Sequence, residues 1–130
     1  MRRLGFLLAI AWLAGCGKEE IPVAPCAALV QGCTVALGAQ KILAQTETLP
    51  VPLKPFTLTV SAPAAHAVSV AFQMQGMAMG LNRYRLLRGS NGVWYARITL
   101  PVCVSGRRDW LMILEVDGVR RALPFQTPGN

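Results

Sequence analysis

The sequence predicts an all-β fold, an immunoglobulin-like sandwich of seven or eight short antiparallel strands. Apolar and polar residues alternate with a period of two along much of the chain, which is the pattern of half-buried strands. Turn-forming glycines, prolines and an Asp-Gly pair separate these runs at short intervals, and no helical periodicity follows residue 35. The 130 residues, of which 53% are hydrophobic, suffice for one domain core and are too few for two.

The first half of the domain is expected to contain three strands. Residues 33–37 and 41–46 can pair as a hairpin, and one helical turn is expected before them within residues 26–32. The Pro-rich stretch 49–55 is predicted to be an irregular edge or crossover. A third strand follows, with its apolar residues on one face: Phe56, Leu58 and Val60.

The second half shows the clearest alternation. Its strands place apolar residues at every second position: Val68, Val70, Phe72 and Met74; Tyr84 and Leu86; Trp94, Ala96, Ile98 and Leu100; Trp110, Met112, Leu114 and Val116. The last of these strands is apolar on both faces, because Leu111 and Ile113 occupy its other positions. Asp117 and Gly118 form a hairpin signal that leads into a final strand at residues 119–126.

The N-terminus has the features of an export signal. Basic Arg2 and Arg3 precede an apolar run at residues 4–14, which is shorter than the roughly 20 residues of a membrane-spanning helix. The run ends in Leu13-Ala14-Gly15-Cys16, which resembles the lipobox of bacterial lipoproteins. The resemblance implies that Cys16 is the lipidation site, that it carries three acyl chains, palmitate among them, and that it becomes the first residue of the mature chain.

These features divide the chain into three parts. They are a lipoprotein signal peptide at residues 1–15, a lipidated tether at residues 16–31 and a β-sandwich domain at residues 32–130. Gly17, rather than an aspartate, follows the cysteine. The lipoprotein resemblance therefore implies a location in the bacterial cell envelope, anchored in the outer membrane and facing the periplasm.

The charge of the chain bears on its partners. Removal of the signal peptide takes Arg2 and Arg3 from a formal net charge of +7 and leaves +5. An exported domain does not meet nucleic acid, so that partner class is excluded, whereas anionic lipid and polysaccharide surfaces remain open. Arg83, Arg85 and Arg97 are interpreted as a solvated face, with binding to an anionic surface as the alternative.

Two methionines are candidate metal ligands. Met77 and Met79 lie between Gly76 and Gly80, where the strand pattern has stopped and a tight loop is expected. Thioethers are soft ligands that suit Cu(I), and residues two apart point the same way in an extended segment. The alternative is that these flexible side chains plug the open end of the sandwich. Met74 and Met112, by contrast, are in phase with core positions of their strands.

Three cysteines remain after lipidation, an odd number for an oxidising compartment. If consecutive strands alternate in direction, Cys103 lies at the same end of the sandwich as Met77 and Met79 and is a candidate third ligand. A disulfide that involves Cys33 is favoured. Its partner stays open between Cys26 and Cys103.

His66 is the only histidine and lies in the loop before the strand at 67–74. It is interpreted as an exposed residue without a special role, separated from the methionines by a strand of about 25 Å. The sequence suggests no Ser/His/Asp arrangement and no acid catalyst. No catalytic residue is therefore predicted, and the protein is expected not to be an enzyme.

A family resemblance is carried by the lipobox, the β domain and two motifs. These motifs are Met77-Ala78-Met79-Gly80 followed by Asn82-Arg83, and Leu100-Pro101-Val102-Cys103 before Trp110. Together they resemble the YtkA-like/FixH-like group of small bacterial envelope proteins. The resemblance implies an envelope β domain, and some members of the group are associated with copper handling or cytochrome oxidase assembly.

The sequence thus favours a membrane-anchored, non-enzymatic envelope lipoprotein whose β-sandwich has a structural or partner-binding role. Its expected partners are the membrane, through the lipid anchor, and another envelope protein; no cofactor is required. The alternative is a periplasmic Cu(I)-binding or copper-delivery accessory that uses Met77 and Met79, with Cys103 as a possible third ligand.

Overall fold

The computed structural model describes residues 20–74, 82–102 and 106–128. The described residues form single turns of 3-10 helix at Leu29–Gln31 and Ser90–Gly92, and nine strands. In chain order the strands are β1 (Cys33–Leu37), β2 (Gln40–Thr46), β3 (Phe56–Ser61), β4 (Val68–Met74), β5 (Arg83–Arg85), β6 (Leu87–Arg88), β7 (Val93–Ile98), β8 (Asp109–Val116) and β9 (Val119–Gln126). The predicted all-β class and the single helical turn within residues 26–32 are confirmed.

The strands form two antiparallel sheets. One sheet has the order β1-β2-β3-β7-β6 and the other has the order β5-β4-β8-β9. Without β1, these orders are those of immunoglobulin strands A-B-E-D and C′-C-F-G, because β2 takes the place of A and β9 the place of G. The predicted immunoglobulin-like sandwich is confirmed, with β1 as an additional edge strand that forms a hairpin with β2.

Residues 83–88 were expected to form one strand. They form two short strands instead, one in each sheet. Residues 83–85 pair with β4 in one sheet, and Leu87 and Arg88 pair with β7 in the other. Leu86, which is buried, lies at the crossing, where its N–H donates to the carbonyl of Val68 at 2.9 Å. The alternation of polar and apolar residues did not reveal the crossing, because both residues of β6 are exposed and add no alternating pattern.

The core lies between the two sheets and uses the predicted apolar faces. Every second residue of β4 and of β8 is buried, as is every second residue of β3. Phe56 and Phe72 connect the sheets edge to face, with ring centroids 6.5 Å apart. Phe125 meets Phe72 in the same way at 6.1 Å and stacks on Trp110 at 6.4 Å. Side chains from both sheets therefore form one continuous core.

The sandwich has two ends, which the antiparallel strands define. The disulfide end comprises residues 26–33, 47–55, 99–102 and 106–108, joined by contacts such as the hydrogen bond from Leu53 N–H to the carbonyl of Leu100 at 2.9 Å. The Asp117 end comprises residues 62–67, 89–92 and 117–118, joined for example by the hydrogen bond from Ala62 N–H to the carbonyl of Gly92 at 2.9 Å.

The segment before β1 belongs to the folded domain. Val23 forms a parallel bridge with Ala122, in which Ala122 N–H donates to the carbonyl of Pro22 and Ala24 N–H donates to the carbonyl of Ala122, each at 2.9 Å. Leu29 is buried in the core. The domain therefore begins no later than Pro22, upstream of the boundary at residue 32 that the sequence predicted. The physical reason is that edge strand β9 has unpaired backbone groups, which this segment satisfies.

Candidate functional site

Cys16, Met77, Met79 and Cys103 lie outside the described residues. The described strands next to them end at the disulfide end: Met74, the last residue of β4, is in register with Trp110, near the start of β8. Strand β7 also ends there, because its last residue Ile98 pairs with Phe56, which contacts Phe72. The strand directions on which the grouping of the methionine loop with Cys103 depends are therefore confirmed, and the ligand set itself stays a prediction.

The other two methionines singled out in the sequence are core residues. Met74 and Met112 are both buried between the sheets, as their positions in the alternating pattern predicted. The side chain of Met74 therefore contributes to core packing at the end of β4. This makes Met74 an internal control for any role of Met77 and Met79.

The structure resolves the partner of Cys33. A disulfide joins Cys26 to Cys33, with the Cα atoms 5.4 Å apart and a sequence separation of 7. The predicted disulfide involving Cys33 is confirmed, and the alternative with Cys103 is wrong. The bond fastens the N-terminal segment to β1, and it removes the thiolates of Cys26 and Cys33 from any set of metal ligands.

Unpaired buried polar atoms gather at the disulfide end. Among the described residues, Thr46 Oγ1, Asn82 Nδ2 and Trp110 Nε1 are buried without a hydrogen-bond partner. Thr46 ends β2, Asn82 precedes β5 and Trp110 lies near the start of β8. A buried donor without an acceptor costs about 1–3 kcal/mol, so such atoms commonly mark sites where solvent or a binding partner completes the hydrogen bonding.

A groove of about 370 Å³ lies beside the disulfide. Leu49 and Pro50 form one part of its lining and Phe125 another. Its polar part is a side-chain pair in which Gln126 Nε2 donates to Asp109 Oδ1 at 3.0 Å. The groove therefore combines apolar and polar lining in similar proportion, a combination found at interfaces between proteins.

At the Asp117 end, the turn between β8 and β9 holds the loop before β4. Asp117 Oδ1 accepts hydrogen bonds from the backbone N–H groups of His66 at 2.8 Å and Ala67 at 2.9 Å. These two backbone bonds, His66 first, hold the pKa of Asp117 below its usual range, because they stabilise the carboxylate. His66 Nδ1 lies 3.5 Å from Asp117 Oδ2, and the imidazole is 91% exposed.

The pairing of His66 with Asp117 was not found from the sequence, since 51 residues separate the two positions. The Asp-Gly turn was recognised, but its function as a clamp on the distant loop depends on β4 and β8 being neighbours. The exposed imidazole predicted for His66 is confirmed. A histidine and a carboxylate alone do not amount to a catalytic arrangement.

An open cleft of about 800 Å³ adjoins this turn and is lined by residues of β4, β5 and β8. Arg83 and Arg85 line it from β5, and Glu115 from β8. Glu115 Oε2 lies 3.1 Å from Arg83 Nη2 and 3.7 Å from Arg120 Nε. The cleft is therefore rich in guanidinium groups. The exposed character predicted for Arg83, Arg85 and Arg97 is confirmed, but the single face predicted for them is wrong, because Arg97 lies on β7 in the other sheet.

Across residues 20–74, 82–102 and 106–128, no group of three His, Cys, Asp or Glu side chains is arranged to hold a metal ion. Within the same part of the chain, neither helical turn has the length and apolar character needed to cross a lipid bilayer. No family model, no curated protein and no solved structure matches this chain.

Proposed function

We propose that this protein is a lipid-anchored, non-enzymatic component of the bacterial cell envelope whose immunoglobulin-like domain binds a protein partner at its disulfide end. The observation that supports the proposal most directly is the parallel pairing of residues 22–24 with β9. Because the pairing is parallel, residues 22–24 run in the direction of β9, away from the Asp117 end where β9 begins. We therefore expect a lipid on Cys16 to be attached from the side of the Asp117 end.

The length of the tether limits how far the domain can lie from the membrane. Six residues separate Cys16 from Pro22 in the numbering, and an extended chain covers at most about 3.6 Å per residue, so the tether reaches about 20 Å. The tether therefore keeps the domain close to the lipid, and the direction in which residues 22–24 enter the sandwich favours the Asp117 end as the end that faces it.

The outward end carries exposed apolar side chains. Leu49 is 54% exposed, Leu53 is 64% exposed and Val102 is 57% exposed, and all three belong to the disulfide end. Leu53 has a φ of 64°, which is uncommon for a residue with a side chain and is typical of functional loops. Leu49 also lines the groove beside the disulfide, and the three exposed side chains together suit an apolar segment of a partner protein.

The lipid anchor is tested by labelling bacteria with a palmitate analogue. The full chain should incorporate the label, and Cys16→Ser should abolish incorporation and processing at the lipobox. Label retained in Cys16→Ser would refute the anchor.

Partner binding is tested by photo-crosslinking in cells. A photoreactive residue in place of Leu53 should give one discrete protein adduct, and that adduct should disappear when Leu49→Asp is added. Val119 is the matched control, because it is 41% exposed at the Asp117 end and should give no protein adduct. Adducts of equal yield from both positions, or an adduct that survives Leu49→Asp, would contradict the proposal.

A second candidate function is Cu(I) binding or delivery by Met77 and Met79, with Cys103 as a third ligand. It is favoured by the strand directions, since β4 ends and β8 begins at the disulfide end, and by the disulfide, which leaves Cys103 as the odd cysteine of the mature chain. Two thioethers and a thiolate form a ligand set that suits Cu(I).

Copper binding is tested by titrating the full chain with Cu(I) against a competing chelator. Met77→Leu with Met79→Leu should lower Cu(I) uptake, and Cys103→Ser should lower it further. Met74→Leu is the matched control, because this methionine is buried in the core and should not affect uptake. Equal uptake by the wild type and the Met77/Met79 double variant would end this candidate.

A further inference from the structure

We propose that the Asp117 end carries a basic surface that docks on the phosphate headgroups of anionic lipids in the same membrane that holds Cys16. The surface consists of guanidinium groups from β5, β6 and β9: Arg83, Arg85, Arg88, Arg120 and Arg121. The inference rests on the proposed lipid anchor for its choice of ligand. It goes further, because it assigns a second, electrostatic contact with the membrane and a fixed orientation of the domain.

Strand register brings the basic residues together. Ser69 on β4 is in register with Arg85 on β5 and with Glu115 on β8, and Glu115 is in register with Arg120 on β9. These side chains therefore form one row across the outer face of the sheet, close to the turn at residues 117–118. Residues far apart in the sequence thus contribute to a single surface.

The remaining guanidinium groups extend this row on both sides. Arg83 lies on the same face of β5 as Arg85, two positions along the strand. Arg88 donates a hydrogen bond to the carbonyl of Ala65 at the Asp117 end, and its Cζ lies 4.9 Å from the centre of the Trp94 ring. Arg121 is in register with the buried Leu114 and so occupies the other face of β9, but β9 is an edge strand, and the hydrogen bond from Arg121 Nη1 to the carbonyl of Arg120 at 2.7 Å keeps the guanidinium beside that residue.

The acidic groups on this surface are already engaged. Glu115 contacts Arg83 and Arg120, and the carboxylate of Asp117 accepts two backbone hydrogen bonds and faces His66. Arg85, by contrast, has no ion-pair partner among the described residues. The guanidinium group of Arg85 thus remains available for a bidentate contact with phosphate oxygens. The N–H groups of Arg83 and Arg120 that do not face Glu115 are available in the same way.

The tether argues that the phosphate belongs to lipid. With the proposed anchor on Cys16, Pro22 lies within about 20 Å of the lipid, so the basic surface is confined near the headgroups. The Debye length at physiological ionic strength is about 8 Å, which permits attraction once the domain approaches the membrane. The tether cannot supply this attraction itself, because Glu19 and Glu20 outnumber Lys18.

Arginine footprinting of the mature lipoprotein tests the proposal. The full-length protein, processed in bacteria, is reconstituted into vesicles of phosphatidylcholine alone or of an equimolar mixture with phosphatidylglycerol. Phenylglyoxal modification of each arginine is then followed by mass spectrometry. In the anionic vesicles Arg85, Arg120 and Arg121 should react several-fold more slowly, and high salt should restore their rates. Arg108, which is exposed at the disulfide end, is the internal control and should react equally in both.

A variant separates docking from general charge effects. Arg120→Gln with Arg121→Gln should remove the lipid-dependent protection of Arg85, whereas Lys54→Gln with Arg108→Gln, the same charge change at the disulfide end, should retain it. Equal rates for Arg85 in the two kinds of vesicle, or protection of Arg85 that survives Arg120→Gln with Arg121→Gln, would overturn the proposal.

Failure of the anchor gives a different result from failure of docking. A protein without a lipid anchor does not float with phosphatidylcholine vesicles in high salt, whereas an anchored protein that does not dock floats with both kinds of vesicle and shows no protected arginine. Flotation with neutral vesicles therefore reports on Cys16, and the footprint reports on the basic surface.

Discussion

Asp117 and Ala67 are joined by two reciprocal hydrogen bonds, in which Ala67 N–H donates to Asp117 Oδ1 at 2.9 Å and Asp117 N–H donates to the carbonyl of Ala67 at 3.0 Å. The same carboxylate oxygen accepts from His66 N–H at 2.8 Å. One side chain thus holds the β8–β9 turn against the loop before β4. Because Asp117 also has a φ of 48°, the position requires a residue that tolerates the left-handed region and accepts hydrogen bonds.

The lowered pKa of Asp117 predicts that the stability of the domain depends on pH. Its folded-state pKa is lowered by the backbone hydrogen bonds from His66 and Ala67, so its contribution is fully present above the unfolded-state pKa and is lost as pH falls through the folded-state pKa. In urea unfolding at a series of acidic pH values, wild type should lose stability more steeply than Asp117→Asn, whose amide does not titrate. Parallel pH profiles of the two proteins would contradict this assignment.

Substitution of Asp117 also separates its hydrogen bonds from its charge. At neutral pH Asp117→Asn should be the milder change, because Asn accepts hydrogen bonds and adopts positive φ readily. Asp117→Ala should lower Tm more, since it removes both acceptors and places an alanine in the left-handed region. An equal loss in Tm for the two variants, measured by calorimetry, would show that the carboxylate charge and not the hydrogen bonding matters.

The Cys26–Cys33 disulfide should contribute about 2 kcal/mol to the free energy of unfolding, as expected for a closed loop of this short length. Guanidinium unfolding in the presence of dithiothreitol should show the loss in wild type. The matched control, Cys26→Ala with Cys33→Ala, should show no further change on reduction. A shift of the same size in the double variant would assign the effect to another disulfide.

Gly92 and Gly38 form a matched pair for testing close packing at the Asp117 end. Both have positive φ, but a Cβ on Gly92 would lie 2.5 Å from Pro63 Cα, whereas a Cβ on Gly38 would meet nothing within 4 Å. Gly38→Ala should therefore cost about 1 kcal/mol for backbone strain alone. Gly92→Ala should cost about 3 kcal/mol, because the loop at Pro63 must also move. Urea unfolding measures both, and equal costs would argue against the contact.

Met74 provides a test of core packing next to the methionine loop. Its thioether is buried at the end of β4, opposite Trp110 in the register. Met74→Leu should change the free energy of unfolding by less than about 1.5 kcal/mol, since the volume is conserved. Met74→Ala should cost about 2–5 kcal/mol through the cavity that it leaves. A cost below 1 kcal/mol for Met74→Ala, measured by urea unfolding, would show that this end of the core is loosely packed.

Much of the fold was predictable from local pattern. The inward faces of β3, β4 and β8 follow from alternation alone, and the Asp117-Gly118 turn follows from its residue types. The crossing at Leu86 was not predictable, because β6 has only two residues, both exposed, and so adds no alternating pattern. The pairing of Val23 with Ala122 was not predictable either, because a single parallel bridge leaves no periodic pattern in the sequence.

Some features of the candidate site were likewise predictable from the sequence, and others were not. The reduction to three cysteines, the core position of Met74 and the exposure of His66 were all inferred from residue type and spacing, and the structure bears out the last two. The choice of Cys26 over Cys103 as the partner of Cys33 was left open. A disulfide requires Cα atoms a few ångströms apart, and no local pattern reports that distance.

The class of the fold, the inward faces of the strands and the expectation of a lipid anchor were thus predictable from alternation, turn residues and the apolar start of the chain. All three features depend on residues that are neighbours along the chain. Tertiary structure alone decided that Asp117 would clamp Ala67, that Glu115 would join Arg83 to Arg120, and that residues 22–24 would pair in parallel with β9. The physical reason is that strand pairing brings together residues distant in sequence, and the energy that selects one pairing over another resides in those non-local contacts.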